Sequence, residues 1–207
     1  VLGAMESGQL AVEPLITERV NLADYEVVYG DMRKPGVIAS VLVYPESAAP
    51  PARVVPVRAS AAAAGTGAVA LIGAGNFADS TLVPLLKRTG LRLKTVVSAG
   101  GLSAARLAQK GGFECAATDA AEVLRDPEIA GVLIATRHDL HARLAIEALA
   151  AGKQVFVEKP LCLNRAELAA LRAAVERAAL SGRTVWVGFN RRFAPLAVTA
   201  KALLGGG

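Results

Sequence analysis

Cysteine and aromatic residues are scarce in this sequence. Cys115 and Cys162 are the only two thiols, too few and too far apart for a disulfide framework or a metal-ligand pair, and they read as reduced cysteines of a cytoplasmic protein. Aromatic side chains make up 4 % of the chain, which leaves few platforms for stacked bases and argues against a binder of single-stranded nucleic acid. The net charge is +5, but Lys and Arg are scattered, with doublets such as Arg191-Arg192 and no basic block. That pattern fits an anionic small ligand and not a nucleic-acid surface. No apolar run approaches the roughly 18 to 20 residues needed to span a bilayer, and residues 1–20 mix acids and bases as no signal peptide does. The expectation is a protein without nucleic-acid or membrane partners.

What the chain does have is alanine, about a fifth of its 207 residues, and a regular alternation of apolar runs with helical patterns. The composition shifts near residue 46. Residues 46–66 are rich in Pro, Ala and Ser without amphipathic period, and read as a linker. Residues 1–45 precede it, with a helix expected over Leu22 to Met32 and a strand over Val37 to Val43; so short a piece has too little core to stand alone. The Val1 start and the terminal run Gly205-Gly206-Gly207 read as cuts inside a longer protein.

Residues 67–190 alternate strand and helix. Strands are expected at Ala68 to Ile72, Leu93 to Ser98, Phe113 to Ala117, Gly131 to Ala135, Gln154 to Glu158 and Thr184 to Gly188. Between them lie a helix with Leu82, Leu85, Leu86 and Thr89 on one side, one at Ser103 to Lys110, one opened by Asp119 and Glu122, and one at His141 to Ala151. A long helix capped by Asn164 and Glu167 carries Leu168, Leu171, Val175 and Ala179 on a stripe. Near-continuous apolar strands alternating with helices specify an α/β fold with a doubly wound parallel sheet, here with a short N-terminal α+β appendage.

The first of these strands runs into Gly73-Ala74-Gly75-Asn76-Phe77-Ala78, a G-x-G-x-x-A turn opening a helix. Gly73 permits the tight turn, Gly75 lets backbone approach a pyrophosphate, and Ala78 lets the helix pack on the strand. Between a buried strand and a helix, this pattern points to a dinucleotide. At the end of the second strand, twenty-five positions after Gly73, Ser98 stands where a carboxylate would favour NAD, and Arg106 or Lys110 could reach a ribose phosphate. The cofactor is NAD or NADP, with a lean toward NADP. His138 and His141 are three apart but lack a third ligand at helical spacing, so no metal is expected. The fifth strand ends in Glu158-Lys159-Pro160, which brings a lysine to the cofactor cleft, and the sixth delivers Asn190, Arg191 and Arg192 to the same edge.

Three stretches together, GAGNFA, ATRHDLHARLAIEALAAGKQVFVEKPL and VGFNRRFAP, resemble the N-terminal domain of the Gfo/Idh/MocA oxidoreductases. The resemblance implies an NAD(P)-binding Rossmann domain followed by a substrate domain, which residues 191–207 would begin, and a sugar- or cyclitol-like secondary alcohol as substrate. It places Gly73, Gly75, Asn76, Phe77 and Ala78 at the pyrophosphate, Ser98 near the adenosine ribose, and Thr136, Arg137 and His141 along the nicotinamide side. Glu158 and Lys159 would meet the nicotinamide ribose and the substrate, Lys159 as the catalytic residue, and Asn190 would close the pocket. Thr136-Arg137-His138 stands where many relatives have Thr-Pro-Asn. The family's remaining acid–base pair belongs to the second domain, so this chain alone is expected to bind cofactor without turnover, and the full-length protein to be a homo-oligomer. A non-catalytic dinucleotide-binding, redox-sensing or scaffold module is the alternative, against which Lys159 counts. The first segment, MESGQLAVEPLITERVNLADYEVVYGDM followed by GVIASVLVYP, resembles the last portion of a medium-chain, alcohol-dehydrogenase-like protein.

Overall fold

The computed structural model describes residues 1–30, 34–45, 52–59 and 67–205 and divides into two units, Val1–Pro51 and Ala52–Gly207. In the first, a short helix α1 (Leu2–Glu6) precedes strand β1 (Ile16–Asn21). A turn at Leu22–Asp24 leads to helix α2 (Tyr25–Gly30), and strand β2 (Ala39–Val43) pairs parallel with β1, Val20 opposite Leu42. Residues 31–33, the end of the expected helix, lie outside the described residues. β1 was not foreseen, although Ile-Thr-Glu-Arg-Val-Asn alternates inward and outward residues at strand period. Side chains reinforce the pair: Ser40 Oγ and Lys34 Nζ both donate to Glu18, at 2.9 and 2.8 Å. None of the described residues here is buried, as expected of so short a piece.

The second unit is a seven-stranded sheet. Strand β3 (Val54–Pro56) lies at one edge, antiparallel to β6 (Cys115–Ala117). Next come β5 (Leu93–Val97), β4 (Ala68–Ile72), β7 (Ile129–Ile134), β8 (Gln154–Glu158) and β9 (Val185–Gly188), all parallel to β6. β3 corrects the linker expectation. Two adjacent β-branched valines favour a strand, and Pro56 is tolerated because it sits at the sheet's edge. Val57 N donates to Glu114 O at 2.7 Å and Thr118 N to Arg53 O at 3.1 Å, extending the pairing at both ends. Residues 46–51 and 60–66 of the expected linker lie outside the described residues.

Helices cover both faces. A π-helical stretch, Ala78–Leu82, continues as α3 (Val83–Leu86), and with α4 (Leu102–Gly111) packs on the face formed by Leu71, Val96 and Leu133. Pro84 has no N–H for the carbonyl of Ser80, which accounts for the widened turn. The other face, Ala70, Ile72, Val132, Ile134, Val155 and Val157, is covered by α5 (Ala120–Arg125), α6 (His141–Ala150) and α7 (Arg165–Ala179). Residues of one strand thus divide between two cores by the two-residue period of the strand. Helix α8 (Pro195–Leu203) follows, exposed throughout.

Two helical stripes differ from expectation. Leu82 and Leu86 are buried with Val83, but Leu85 faces solvent, because the wide turn rotates the positions after it. On α7 the buried residues are Leu171, Ala174 and Ala178, while Leu168 is exposed: small residues let α7 approach α6, and the large leucine near its start is left outside. Asn164 caps α7 as expected, its Oδ1 accepting from Glu167 N at 2.9 Å, and Glu167 accepts in return from Leu163 N at 2.7 Å. Asp119 caps α5 through Ala121 N, whereas Glu122 turns instead to Arg125. Among the described residues no helix is long and apolar enough to cross a membrane.

Candidate functional site

Strand order reverses between β5 and β7 on either side of β4, and the chain leaves these strands in opposite directions there. A crevice opens at such a switch point beyond the carboxyl ends of the strands. Two cavities lie in it, of about 820 and 350 Å³, and both are bordered by Phe77, Ala135 and Thr136.

The glycine turn forms the floor of the larger cavity. Gly73 has φ +111°, and a Cβ there would lie 2.4 Å from the carbonyl oxygen of Ala135, so only glycine fits between the ends of β4 and β7. Gly73 N donates to Val97 O at 2.9 Å, which fixes the turn to β5 as well. Gly75 is different: a Cβ there would meet nothing within 4 Å. Ala78 is buried under the turn, packing its helix on the sheet. Asn76, Phe77 and Ser98 line the same cavity.

The far wall of this cavity was not read from the sequence. Ala120, Leu124, Leu140 and Leu144 make it apolar, and Arg143, paired to Glu147 at 2.8 Å, stands at it. Ala120 opens α5 and Leu124 lies in its last turn, while Leu140 and Leu144 flank the start of α6; no motif marks them. Of the cations proposed to reach a ribose phosphate, neither Arg106 nor Lys110 lines the cavity, and Lys110 is ion-paired with Asp79. Helical periodicity alone could not tell which face of α4 looks toward the crevice. The hydroxyls of Ser98 and Ser103 lie 2.9 Å apart.

The smaller cavity collects the second and third motifs. Thr136, His138, Glu158, Lys159, Asn190 and Arg191 border it, with His141 beneath. Arg137 instead lines the larger cavity. Glu158 is buried, its Oε2 accepting from Lys159 N at 3.3 Å, while the Lys159 side chain is exposed at the cavity. His141 is 1 % exposed, and both its ring nitrogens face backbone carbonyls: Nδ1 lies 2.8 Å from Pro160 O and Nε2 3.1 Å from Thr136 O. His138 stacks edge-on against that ring, 5.6 Å away. Among the described residues no group of three or more His, Cys, Asp or Glu side chains is placed to hold a metal ion.

Residues 68–189 match the Gfo/Idh/MocA oxidoreductase family, NAD-binding Rossmann fold. The chain belongs to this family. Over 104 residues it is 40 % identical to scyllo-inositol 2-dehydrogenase (NAD(+)) of Bacillus subtilis, covering 50 % of this chain and 30 % of that protein. It is 37 % identical over 108 residues to levoglucosan dehydrogenase of Pseudarthrobacter phenanthrenivorans, covering 52 % and 27 %. Among solved structures, a 3-ketoreductase from Actinomadura kijaniata in complex with NADP and TDP-benzene superposes with a TM-score of 0.61 at 25 % identity, covering 68 % of this chain and 42 % of that one. The matched stretch therefore spans less than a third of these two curated relatives. The Gfo/Idh/MocA fold implies a dinucleotide, and the turn fits one: its backbone at Gly75 is open, and a side chain there would project into free space.

Proposed function

We propose that this chain is the cofactor-binding part of an NAD(P)-dependent oxidoreductase that acts on a secondary alcohol of a sugar or cyclitol. The observation that carries the reading is the crevice itself: a glycine turn at one end, Glu158, Lys159 and Asn190 at the other, and shared walls between. In this reading the amides of the turn from Gly73 to Phe77 and the start of the helix hold the pyrophosphate. The apolar wall of Leu124, Leu140 and Leu144 takes the adenine, and Ser98 meets its ribose. Glu158 accepts hydrogen bonds from the nicotinamide ribose. The nicotinamide, when bound, supplies the hydride acceptor or donor. Lys159 donates to the oxygen of the reacting carbon and holds it over the smaller cavity; Asn190 closes that cavity.

The lean toward NADP rests on what is missing from the adenosine end. No carboxylate stands at the end of β5 to repel a ribose phosphate, and Ser98 lines the cavity there. The names of relatives support the substrate class, an inositol for one and levoglucosan for another. For residues 1–45 we infer the closing portion of a medium-chain, alcohol-dehydrogenase-like unit, supported by the strand, helix and strand at Ile16–Asn21, Tyr25–Gly30 and Ala39–Val43. Calorimetric titration of the chain with NADPH and with NADH tests the reading. Saturable binding, tighter for NADPH, is expected; absence of binding by either would overturn it.

A further inference from the structure

His141 opens α6 and sits beneath the smaller cavity with its ring closed off from solvent. Its two nitrogens meet carbonyl oxygens from two different segments. One belongs to Thr136, in the loop after β7; the other belongs to Pro160, immediately after Lys159. Carbonyl oxygens only accept, so the ring must donate: to one of them when it carries a single N–H, to both when it carries two. In either state all of its polar capacity points at backbone, and none is left for a ligand in the cavity. Family resemblance placed His141 on the cofactor; its geometry gives it another task.

We propose that His141 is a positioning residue for Lys159. By tying the loop after β7 to the turn after β8, it fixes the backbone on both flanks of the nicotinamide-side cavity and sets where the Glu158–Lys159 pair stands. Glu158 ends β8 in register with Gly188 of β9, but among the described residues its carboxylate has one hydrogen bond, the long one from Lys159 N, and the Lys159 side chain beyond the strand is exposed. The turn that leaves Lys159 is tied from Pro160, and His141 is a buried tie 19 residues away in sequence on one side and 5 on the other. Its consequence for ligand binding rests on the cofactor reading given above; the tie itself does not.

The test compares His141→Phe, which keeps the ring's bulk and removes both nitrogens, with His141→Gln, which keeps a donor and an acceptor. In the chain without ligand, hydrogen exchange is followed by mass spectrometry. His141→Phe should speed exchange over the segment from Lys159 to Leu163 at least tenfold relative to the α7 core, and His141→Gln should restore part of the protection. Calorimetry then compares NADPH with adenosine 2′,5′-bisphosphate, which carries the adenosine half alone. His141→Phe should weaken the dinucleotide by about threefold to tenfold while leaving adenosine 2′,5′-bisphosphate unchanged, as loss of one correctly placed hydrogen bond at the nicotinamide end would do. Equal weakening of both ligands, or exchange unchanged in the Lys159 segment, would overturn the proposal. Failure of the unaltered chain to bind either ligand would overturn the cofactor reading instead, and the exchange measurement would still decide the tie.

Discussion

The carboxylate of Glu158 occupies the space that a side chain at residue 188 would need: a Cβ on Gly188 would lie 2.6 Å from Oε1 and 2.9 Å from Cδ. Strand β9 therefore ends in glycine because its neighbour β8 ends in a buried acid. Gly188 has no left-handed φ, so alanine is acceptable to its backbone, and the whole effect of Gly188→Ala comes from displacing the carboxylate. Overpacking of this kind costs about 1–3 kcal/mol. The expected outcome is a modestly lowered thermal midpoint with cofactor affinity reduced about tenfold, read by calorimetry; Gly188→Ala with unaltered affinity would show that Glu158 does not touch the ligand.

Two glycines of one turn should fail in different ways. Gly73→Ala combines a φ of +111° with a contact of 2.4 Å to backbone, which cannot yield as a side chain would. Strain and overpacking there sum to about 3–5 kcal/mol, enough to leave much of the protein unfolded. Gly75→Ala meets nothing within 4 Å. It should leave the melting curve intact and abolish saturable binding of NADH and NADPH, since the methyl fills the space where backbone meets the pyrophosphate.

Lys159 separates the catalytic reading from a purely binding one. Its side chain is exposed at the cavity and takes no part in a described ion pair. Lys159→Ala should bind NADPH within about threefold of the unaltered chain. In the whole enzyme that the proposed function implies, the same change should lower kcat by about 10²–10⁴. Parallel loss of affinity in both would assign the lysine to holding cofactor.

Legibility in the sequence followed the physical strength of each signal. β4, β7 and β8 are buried on both faces, so they appear as apolar runs, and their ends fell within a residue or two of expectation. Gly73 and Lys159 were legible because a turn and a strand end restrict the residues allowed there. β3 was hidden by Pro56 and by pairing with a strand some sixty residues away, a long-range choice no local pattern encodes. Leu124, Leu140 and Leu144 escaped for the opposite reason: apolar residues on helices read as core, and nothing local distinguishes the few that face a crevice. The partners of His141 are two carbonyls, which leave no mark in a sequence.

Removing β3 should expose the edge it covers. A chain beginning at Gly67 loses the pairing of Val54 to Pro56 with β6 and the bonds from Val57 N to Glu114 O and from Thr118 N to Arg53 O. Four or so backbone hydrogen bonds lost, each worth about 0.5–1.5 kcal/mol net, predict destabilisation of about 2–6 kcal/mol in urea melts. The open edge of β6 should also promote self-association, visible in light scattering. Arg53→Ala, which removes only the exposed ion pair with Asp119, should change stability by less than about 1 kcal/mol.

Acid should find a weak point at the opposite pole of the sheet. Glu128 accepts from Lys94 at 3.1 Å and from Arg92 at 2.8 Å, and these cations hold its carboxyl below the ordinary value of 4.5. Because the folded state releases this proton more readily than the unfolded chain does, unfolding takes up protons in that window and stability rises with pH across it. The contribution is complete above 4.5 and disappears as pH falls through the lowered folded value. Glu128→Gln removes the titration but keeps the side chain's shape. Urea midpoints measured from pH 7 to pH 3 should therefore show the variant less stable than the unaltered chain at neutrality, with the gap closing on acidification. A gap that stayed constant would mean that Glu128 contributes through packing and not through its charge.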